Sequence, residues 1–248
     1  MNHPVSPRMG QAMPFRTPRD VCGCTVWLSA LVGVLAGTVV TTWQDLTYRG
    51  NNATVGGGSP AYGVVAARPA ITTSATDWLS ITATVDTDFD ATKGGAGYAV
   101  FDSVSASLDA VVWAKYDTVV AAQRNWIVSV NDGATTTSGE YISETGTNTL
   151  RRVTQGDAST GAIRTQVVRF DPTGNVRGSL DANASTATAI AGIKATTGTV
   201  TIGRLDPLGT VTIAANVREL AFFRCYPPFN GAEDVFLRSF FRQRNGAA

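Results

Sequence analysis

From about residue 21 onward this chain is built of short runs that alternate apolar and polar residues, separated by clusters of turn formers. That pattern directs it into stacked β-sheets, because a period of two puts every second side chain on one face of a strand. Leu79-Ser80-Ile81-Thr82-Ala83-Thr84-Val85 alternates cleanly, and so does part of 108–116; further runs lie at 126–130, 140–142, 150–154, 163–170, 176–180, 199–202 and 211–223. The breaks fall at Gly94-Gly95, Asn131-Asp132-Gly133, Asp171-Pro172-Thr173-Gly174 and Asp206-Pro207-Leu208-Gly209. In Asp-Pro-x-Gly the proline presets φ for the second position of a type I turn and the glycine closes it.

With 248 residues and 44% hydrophobic content the chain can bury a full core. The expected organisation is one all-β domain over 21–248 preceded by a segment 1–20. Lys+Arg number 20 against 19 Asp+Glu, a net charge of +1, so no overall field draws in nucleic acid or an anionic membrane, and neither is an expected partner. The uncharged run 25–40 is 16 residues long, short of the roughly 20 that a spanning helix needs. It contains Gly33 and Gly37 and passes into Thr38-Val39-Val40-Thr41-Thr42-Trp43, which alternates like a strand. We read it as core strand and connection; the proline-bearing stretch before it lacks the compact basic start of a secretory signal.

Residues 1–20 carry Pro4, Pro7, Pro14 and Pro18 and show neither a helical nor a strand period. Such a segment is either disordered or laid extended on a neighbouring protein as a docking arm, with Met9, Met13 and Phe15 as apolar contacts and Arg16 beside them. One helix is expected near the C-terminus. Asn230 and Glu233 have capping-box spacing, Phe236, Leu237, Phe240 and Phe241 form an apolar stripe, and Asp234, Arg238 and Arg242 line the opposite face at spacing four.

Chemistry-bearing residues are few. The single histidine, His3, lies in the unpatterned segment, which removes the triad and Cys-His mechanisms that need an imidazole held by the fold. Cys22, Cys24 and Cys225 are an odd set, read as small buried thiols near the two ends of one sandwich. Asp86-Thr87-Asp88-Phe89-Asp90 would place three carboxylates on one face of an extended chain, a possible seat for calcium. The spacing is not that of an EF-hand, whose sixth and twelfth positions would fall on Ala91 and Gly97. The competing reading is a solvated acidic loop. Of five tryptophans, Trp27, Trp43 and Trp113 sit in apolar settings and read as core, whereas Trp78, with Trp126 second, is the candidate for stacking on a sugar ring. Asn52-Ala53-Thr54 and Asn183-Ala184-Ser185 fit the glycosylation triplet, which matters only in a eukaryotic secretory setting.

Two groups of residues carry a family resemblance. The first is Trp43-Gln44-Asp45-Leu46, Gly50-Asn51-Asn52-Ala53-Thr54 and Arg68-Pro69; the second is Thr201-Ile202-Gly203, Val217-Arg218-Glu219-Leu220-Ala221-Phe222-Phe223 and Asn230-Gly231-Ala232-Glu233. Together they resemble the concanavalin A-like lectin/glucanase sandwich of the laminin-G-like kind, found in extracellular proteins and in bacteriophage structural proteins. The resemblance implies an all-β, two-sheet antiparallel jelly-roll sandwich with one short C-terminal helix and an extended N-terminal arm. It implies a non-enzymatic virion component, such as a head decoration or a tail, collar or fibre part, whose partners are other virion proteins or copies of itself. A carbohydrate-binding module for a cell-surface glycan, in a virion or on a bacterial surface, is the alternative. Glucanases of this architecture use a Glu-x-Asp-x-x-Glu strand; here Glu140 and Glu144 enclose Tyr141-Ile142-Ser143 with no aspartate between them, so glycoside hydrolysis is the least favoured reading.

Overall fold

The computed structural model describes residues 16–74, 76–82, 85–90, 92–103, 110–116, 124–130, 137–143, 150–157, 162–181, 183–184, 187–190, 193, 198–204, 215–225, 227–228 and 231–246. Met9, Met13 and Phe15, Asn230 and Glu144 fall outside them, as does the Asp206 turn. A short 3-10 turn, Pro18–Asp20, opens the described chain. The strands follow as β1 (Cys24–Ser29), β2 (Val34–Ala36), β3 (Val40–Trp43), β4 (Ala53–Gly57), β5 (Ala61–Val65), β6 (Arg68–Thr73), β7 (Trp78–Ile81), β8 (Gly95–Ser103) and β9 (Ala110–Tyr116). Next come β10 (Arg124–Val130), β11 (Thr137–Ser143), β12 (Leu150–Asp157), β13 (Arg164–Asp171), β14 (Asn175–Leu180), β15 (Asn183–Ala184), β16 (Thr188–Ala189), β17 (Thr199–Ile202), β18 (Ala215–Phe223) and the helix α1 (Ala232–Asn245).

The strands form two antiparallel sheets. The first has the order β15-β14-β13-β8-β18-β6-β5, with β1 added beside β18 and β16 beside β14; the second runs β12-β11-β10-β9-β17-β7-β4-β3-β2. They pack face to face as a β-sandwich whose core includes Trp43, Leu79, Phe101, Trp113, Trp126, Phe170, Val217 and Phe222. The first sheet is covered on its other face too, where Trp27, Tyr98, Val167 and Phe223 meet Leu237, Phe240 and Phe241 of α1. A sheet buried on both faces needs near-continuous apolar strands in place of strict alternation, which accounts for β1, buried along its whole length, within the run 25–40. It folds as β1, a turn and β2. No helix among the described residues is long and apolar enough to cross a membrane.

β18 shows how this is done. All nine of its residues are buried, and the register against β8 slips between Val217 and Glu219. A bulge there inserts one residue and resets the two-residue phase, so Val217 and Leu220, three apart in sequence, both reach the inter-sheet core. The polar pair Arg218-Glu219 is accommodated at the bulge.

β8, at the centre of the first sheet, is the strand that alternation does not reveal. Its glycines explain why: a methyl group on Gly95 would lie 2.6 Å from the Phe89 ring and 2.7 Å from the Phe223 carbonyl, and one on Gly97 3.1 Å from Trp113. Small residues let large aromatics close over the strand, at the cost of its sequence signal.

The helix spans the expected segment, but its start differs from the capping box. The N-cap is Gly231, with no side-chain cap bond, and Asp234 is fully buried and does not face solvent with Arg238. Its carboxylate accepts hydrogen bonds from Tyr98 Oη at 2.9 Å and from Arg169 Nη2, and it pairs with Arg238 Nε at 3.2 Å. Arg169 also donates to Ser179 Oγ at 2.9 Å. The helix therefore docks on the sheet through a buried ion pair as well as its apolar stripe. At the other end Gly246, at φ 69°, takes the left-handed cap and donates its N–H to the Arg242 carbonyl.

Candidate functional site

The Trp43-to-Asn52 motif is a structural latch. Asp45 Oδ1 accepts the N–H groups of Trp27 and Thr47, each at 3.0 Å, while Oδ2 accepts Thr47 Oγ1 at 2.7 Å and the Asn51 N–H at 3.2 Å. Asn52 Oδ1 accepts the Asp45 N–H at 2.8 Å, and Asn51 Nδ2 donates to the Thr25 carbonyl at 2.8 Å. A short acceptor that satisfies four donors ties the loop before β4 to β1.

The acidic cluster does not gather into a cation site. Extended backbone would have aligned the three carboxylates, but Val85–Thr87 forms a 3-10 turn and ends the two-residue period. Asp86 faces Arg49 Nη1 at 3.4 Å and Asn51 Nδ2 at 3.2 Å. Asp88 pairs with the buried Lys115 Nζ at 2.7 Å. Burial holds the Lys115 ammonium below its ordinary range, and Asp88 opposes that shift. Asp90 accepts from Thr92 Oγ1 at 2.6 Å and from the N–H groups of Thr92 and Lys93, which keep its carboxyl below the usual range. Among the described residues no three Cys, His, Asp or Glu side chains converge on one point, so these residues do not fit calcium.

Neither candidate tryptophan offers an open ring. Trp126 is fully buried, stacks on Phe222 with centroids 5.5 Å apart, lies edge-on to Trp113 at 4.5 Å, and donates its indole N–H to the Thr87 carbonyl at 3.0 Å. Trp78 is 7% exposed. Gly56 and Gly57 seat its ring, since a methyl group on Gly56 would lie 2.2 Å from it, and the Arg204 guanidinium lies 5.5 Å from the ring centroid.

The remaining acids with described side chains are also committed to partners. Arg218 Nη2 donates to Asp102 Oδ2 at 2.9 Å and to the Val65 carbonyl at 3.1 Å. Glu233 pairs with Arg16 at 3.4 Å on the surface. Glu219, fully buried, accepts Ser29 Oγ at 2.8 Å and forms an ion pair with Arg244 Nε at 2.7 Å. Burial pushes its carboxyl up to about 7, against the pull of Arg244. A carboxyl whose pKa is higher folded than unfolded keeps its proton longer in the native state, so its contribution to stability falls as pH rises from about 4.5 to about 7. We expect urea unfolding to show that loss at up to about 1.4 kcal/mol per pH unit within the window. Glu219→Gln should lack this component, so the stability gap between native chain and variant narrows from pH 5 to pH 8; a gap that widens would contradict the assignment.

Among the described residues, one side of the sandwich carries a group of exposed apolar side chains. β5 ends the first sheet and β2 the second on this side. They are brought together where Val39 bridges Ala61 and the Tyr62 N–H donates to the Thr38 carbonyl at 3.3 Å. Val32, Leu35, Val39 and Val64 there are 48%, 52%, 38% and 72% exposed. Edge strands expose unpaired backbone groups, and apolar side chains on them favour association. Sequence alternation marks strands but not which of them end a sheet, so this edge was not foreseen. A second feature runs along α1, where grooves of about 570 Å³ and 210 Å³ are lined by Val235, Arg238 and Arg242, and by Arg16, Phe236 and Phe240, respectively. Arg16 lies over the Phe236 ring at 4.7 Å, so the chain enters the fold beside this helix.

No sequence-family model and no curated protein matches the chain. Solved structures match it by fold. It is similar to the binding domain of Paraclostridial Mosquitocidal Protein 1 (TM-score 0.65, 8% identity, 89% of this chain and 52% of that one). It is also similar to domain 4 of AbnA, a GH43 extracellular arabinanase from Geobacillus stearothermophilus, solved in complex with arabinotriose (0.64, 10%, 88% and 98%). The botulinum neurotoxin serotype D binding domain is a third (0.61, 8%, 88% and 52%). The chain spans about half the length of the toxin binding domains and nearly all of the arabinanase domain. At such identities the likeness is one of fold.

Proposed function

We propose that this chain is a non-enzymatic binding and structural module of a bacteriophage particle, which docks on neighbouring virion proteins or on copies of itself. It docks through the segment 1–20 and the apolar side of the sandwich formed by β2, β3 and β5. The observation that carries this reading is the division of the surface: the acids with described side chains serve fold partners, while Leu35 and Val64 on the edge strands β2 and β5, and Val32 and Val39 beside them, face solvent. The binding domains among its fold neighbours and the sequence resemblance to phage sandwich proteins support it.

The test is assembly. Pro18 and Val21 are buried, and Asp20 Oδ2 accepts both the Thr17 N–H and Oγ1 at 2.7 Å, so the truncation belongs before Arg16. A chain lacking residues 1–15 should keep its melting temperature and fail to incorporate into particles. Leu35→Lys with Val64→Lys should change stability by less than about 1 kcal/mol, as exposed positions do, and also block incorporation. Normal incorporation of both variants would overturn the proposal. A second reading, glycan recognition, is favoured by the arabinotriose-bound neighbour; binding of the intact chain on an array that includes arabinan oligosaccharides would support it, and a blank array would remove it.

A further inference from the structure

We propose that Cys22 and Cys225 are a redox pair that closes into an intramolecular disulfide across the ends of β1 and β18, leaving Cys24 as the free thiol. The strand register supplies the juxtaposition. Cys24 is opposite Phe223, and the Arg224 N–H donates to the Gly23 carbonyl at 2.8 Å. Just beyond that bond the chain turns at Cys22-Gly23, and the turn brings Cys22 against Cys225, whose Sγ reaches the Cys22 carbonyl.

The local chain is shaped around this pair. The Cys24 N–H donates to the Val21 carbonyl at 3.2 Å, closing a turn in which Gly23 takes φ 77°. Cys225 Sγ sits under that turn at 2.5 Å from the Cys22 carbonyl. A methyl group at Gly23 would lie 2.5 Å from the same sulfur, so glycine at the centre of Cys-Gly-Cys leaves the space the sulfur occupies. The Cys225 thiol is pushed up to about 12, first by burial and then by the Cys22 thiol beside it. Cys24 is excluded by its side: it is buried with Trp27 and Phe223 against α1, and its Sγ donates to the Val26 carbonyl at 3.6 Å.

Cys22 is exposed and Cys225 half-buried, which orders the steps. With glutathione disulfide as oxidant, the Cys22 thiolate attacks one of its sulfurs, forming a mixed disulfide and releasing one glutathione thiolate, which takes up the Cys22 proton. The Cys225 sulfur, giving up its proton, then attacks the Cys22 sulfur and expels the second glutathione. Two protein thiols lose two electrons and two protons, and one small-molecule disulfide becomes two thiols.

The cross-link would join residues 203 positions apart, and so long a loop restricts the unfolded chain strongly. The full chain is incubated with a mixture of reduced and oxidised glutathione, then denatured, alkylated and weighed, with melting measured in parallel. We expect one alkylated cysteine, a non-reduced digest joining the Cys22 and Cys225 peptides, and a melting temperature raised by about 10 °C over the reduced chain. Cys22→Ser, at an exposed position, and Cys225→Ser should each abolish the rise, whereas Cys24→Ser should keep it. Three alkylated cysteines, a linked peptide containing Cys24, or a covalent dimer would overturn the proposal.

Discussion

Replacing Asp234 with alanine is expected to cost about 3–5 kcal/mol of folding stability, because it removes one partner of a fully buried ion pair and leaves the other charged. Arg169 and Asp234 are both inaccessible to solvent, and the carboxylate also receives Tyr98 Oη and Arg238 Nε. Asp234 is in the first turn of α1, where the helix dipole favours a negative charge. Without it the Arg169 guanidinium keeps Ser179 Oγ and the face of Tyr98 but has lost its counter-charge. Chemical denaturation of the single variants, and of the double variant Arg169→Met with Asp234→Leu, gives the decisive pattern. Both singles should be strongly destabilised and the double much less so, since two apolar side chains of similar volume can replace a buried pair at little cost. Equal and additive losses would show that the pair does not act as a unit.

Trp126→Ala should cost a comparable 3–5 kcal/mol, by loss of transfer energy and by the cavity left among Phe89, Trp113 and Phe222. Removing the indole also takes a donor away from the Thr87 carbonyl. Trp78→Ala should be destabilising as well, because Gly56 and Gly57 leave a slot that only the ring fills. For both, thermal melting should register the loss. Loss of glycan binding at unchanged melting temperature would instead assign a recognition role to that ring.

The two tryptophans show what sequence reasoning could and could not see. Alternation located most strands, and the Phe236-to-Phe241 stripe located the helix. It missed β4, β5 and β6, where glycine and proline interrupt the pattern, and β8, where glycines that admit neighbouring aromatics mimic a turn. Whether Trp126 faces the core or solvent depends on which sheet face is covered, and strand alternation alone leaves that open. Asp86, Asp88 and Asp90 show the same limit: their common face exists only if the backbone stays extended, and the turn at Val85–Thr87 disperses them. The motif around Trp43 and Asp45 was recognisable because its job is local, one carboxylate gathering nearby donors. The pairing of Cys22 with Cys225 was hidden because it depends on the register between the first strand and the last.

That last strand has a consequence for how the chain is made. β18 is hydrogen-bonded to β8 on one side and to β6 and β1 on the other, and it leaves the ribosome after every strand it pairs with. Until it arrives, β1 has no partner at its edge and the aromatic layer over Phe222 and Phe223 cannot close. The nascent polypeptide must therefore hold β1, β6 and β8 without their shared partner until β18 is made, a high-contact-order route that is slow and exposed to chaperones. A premature stop anywhere before Ala215 would yield no smaller folded sandwich, only material for degradation.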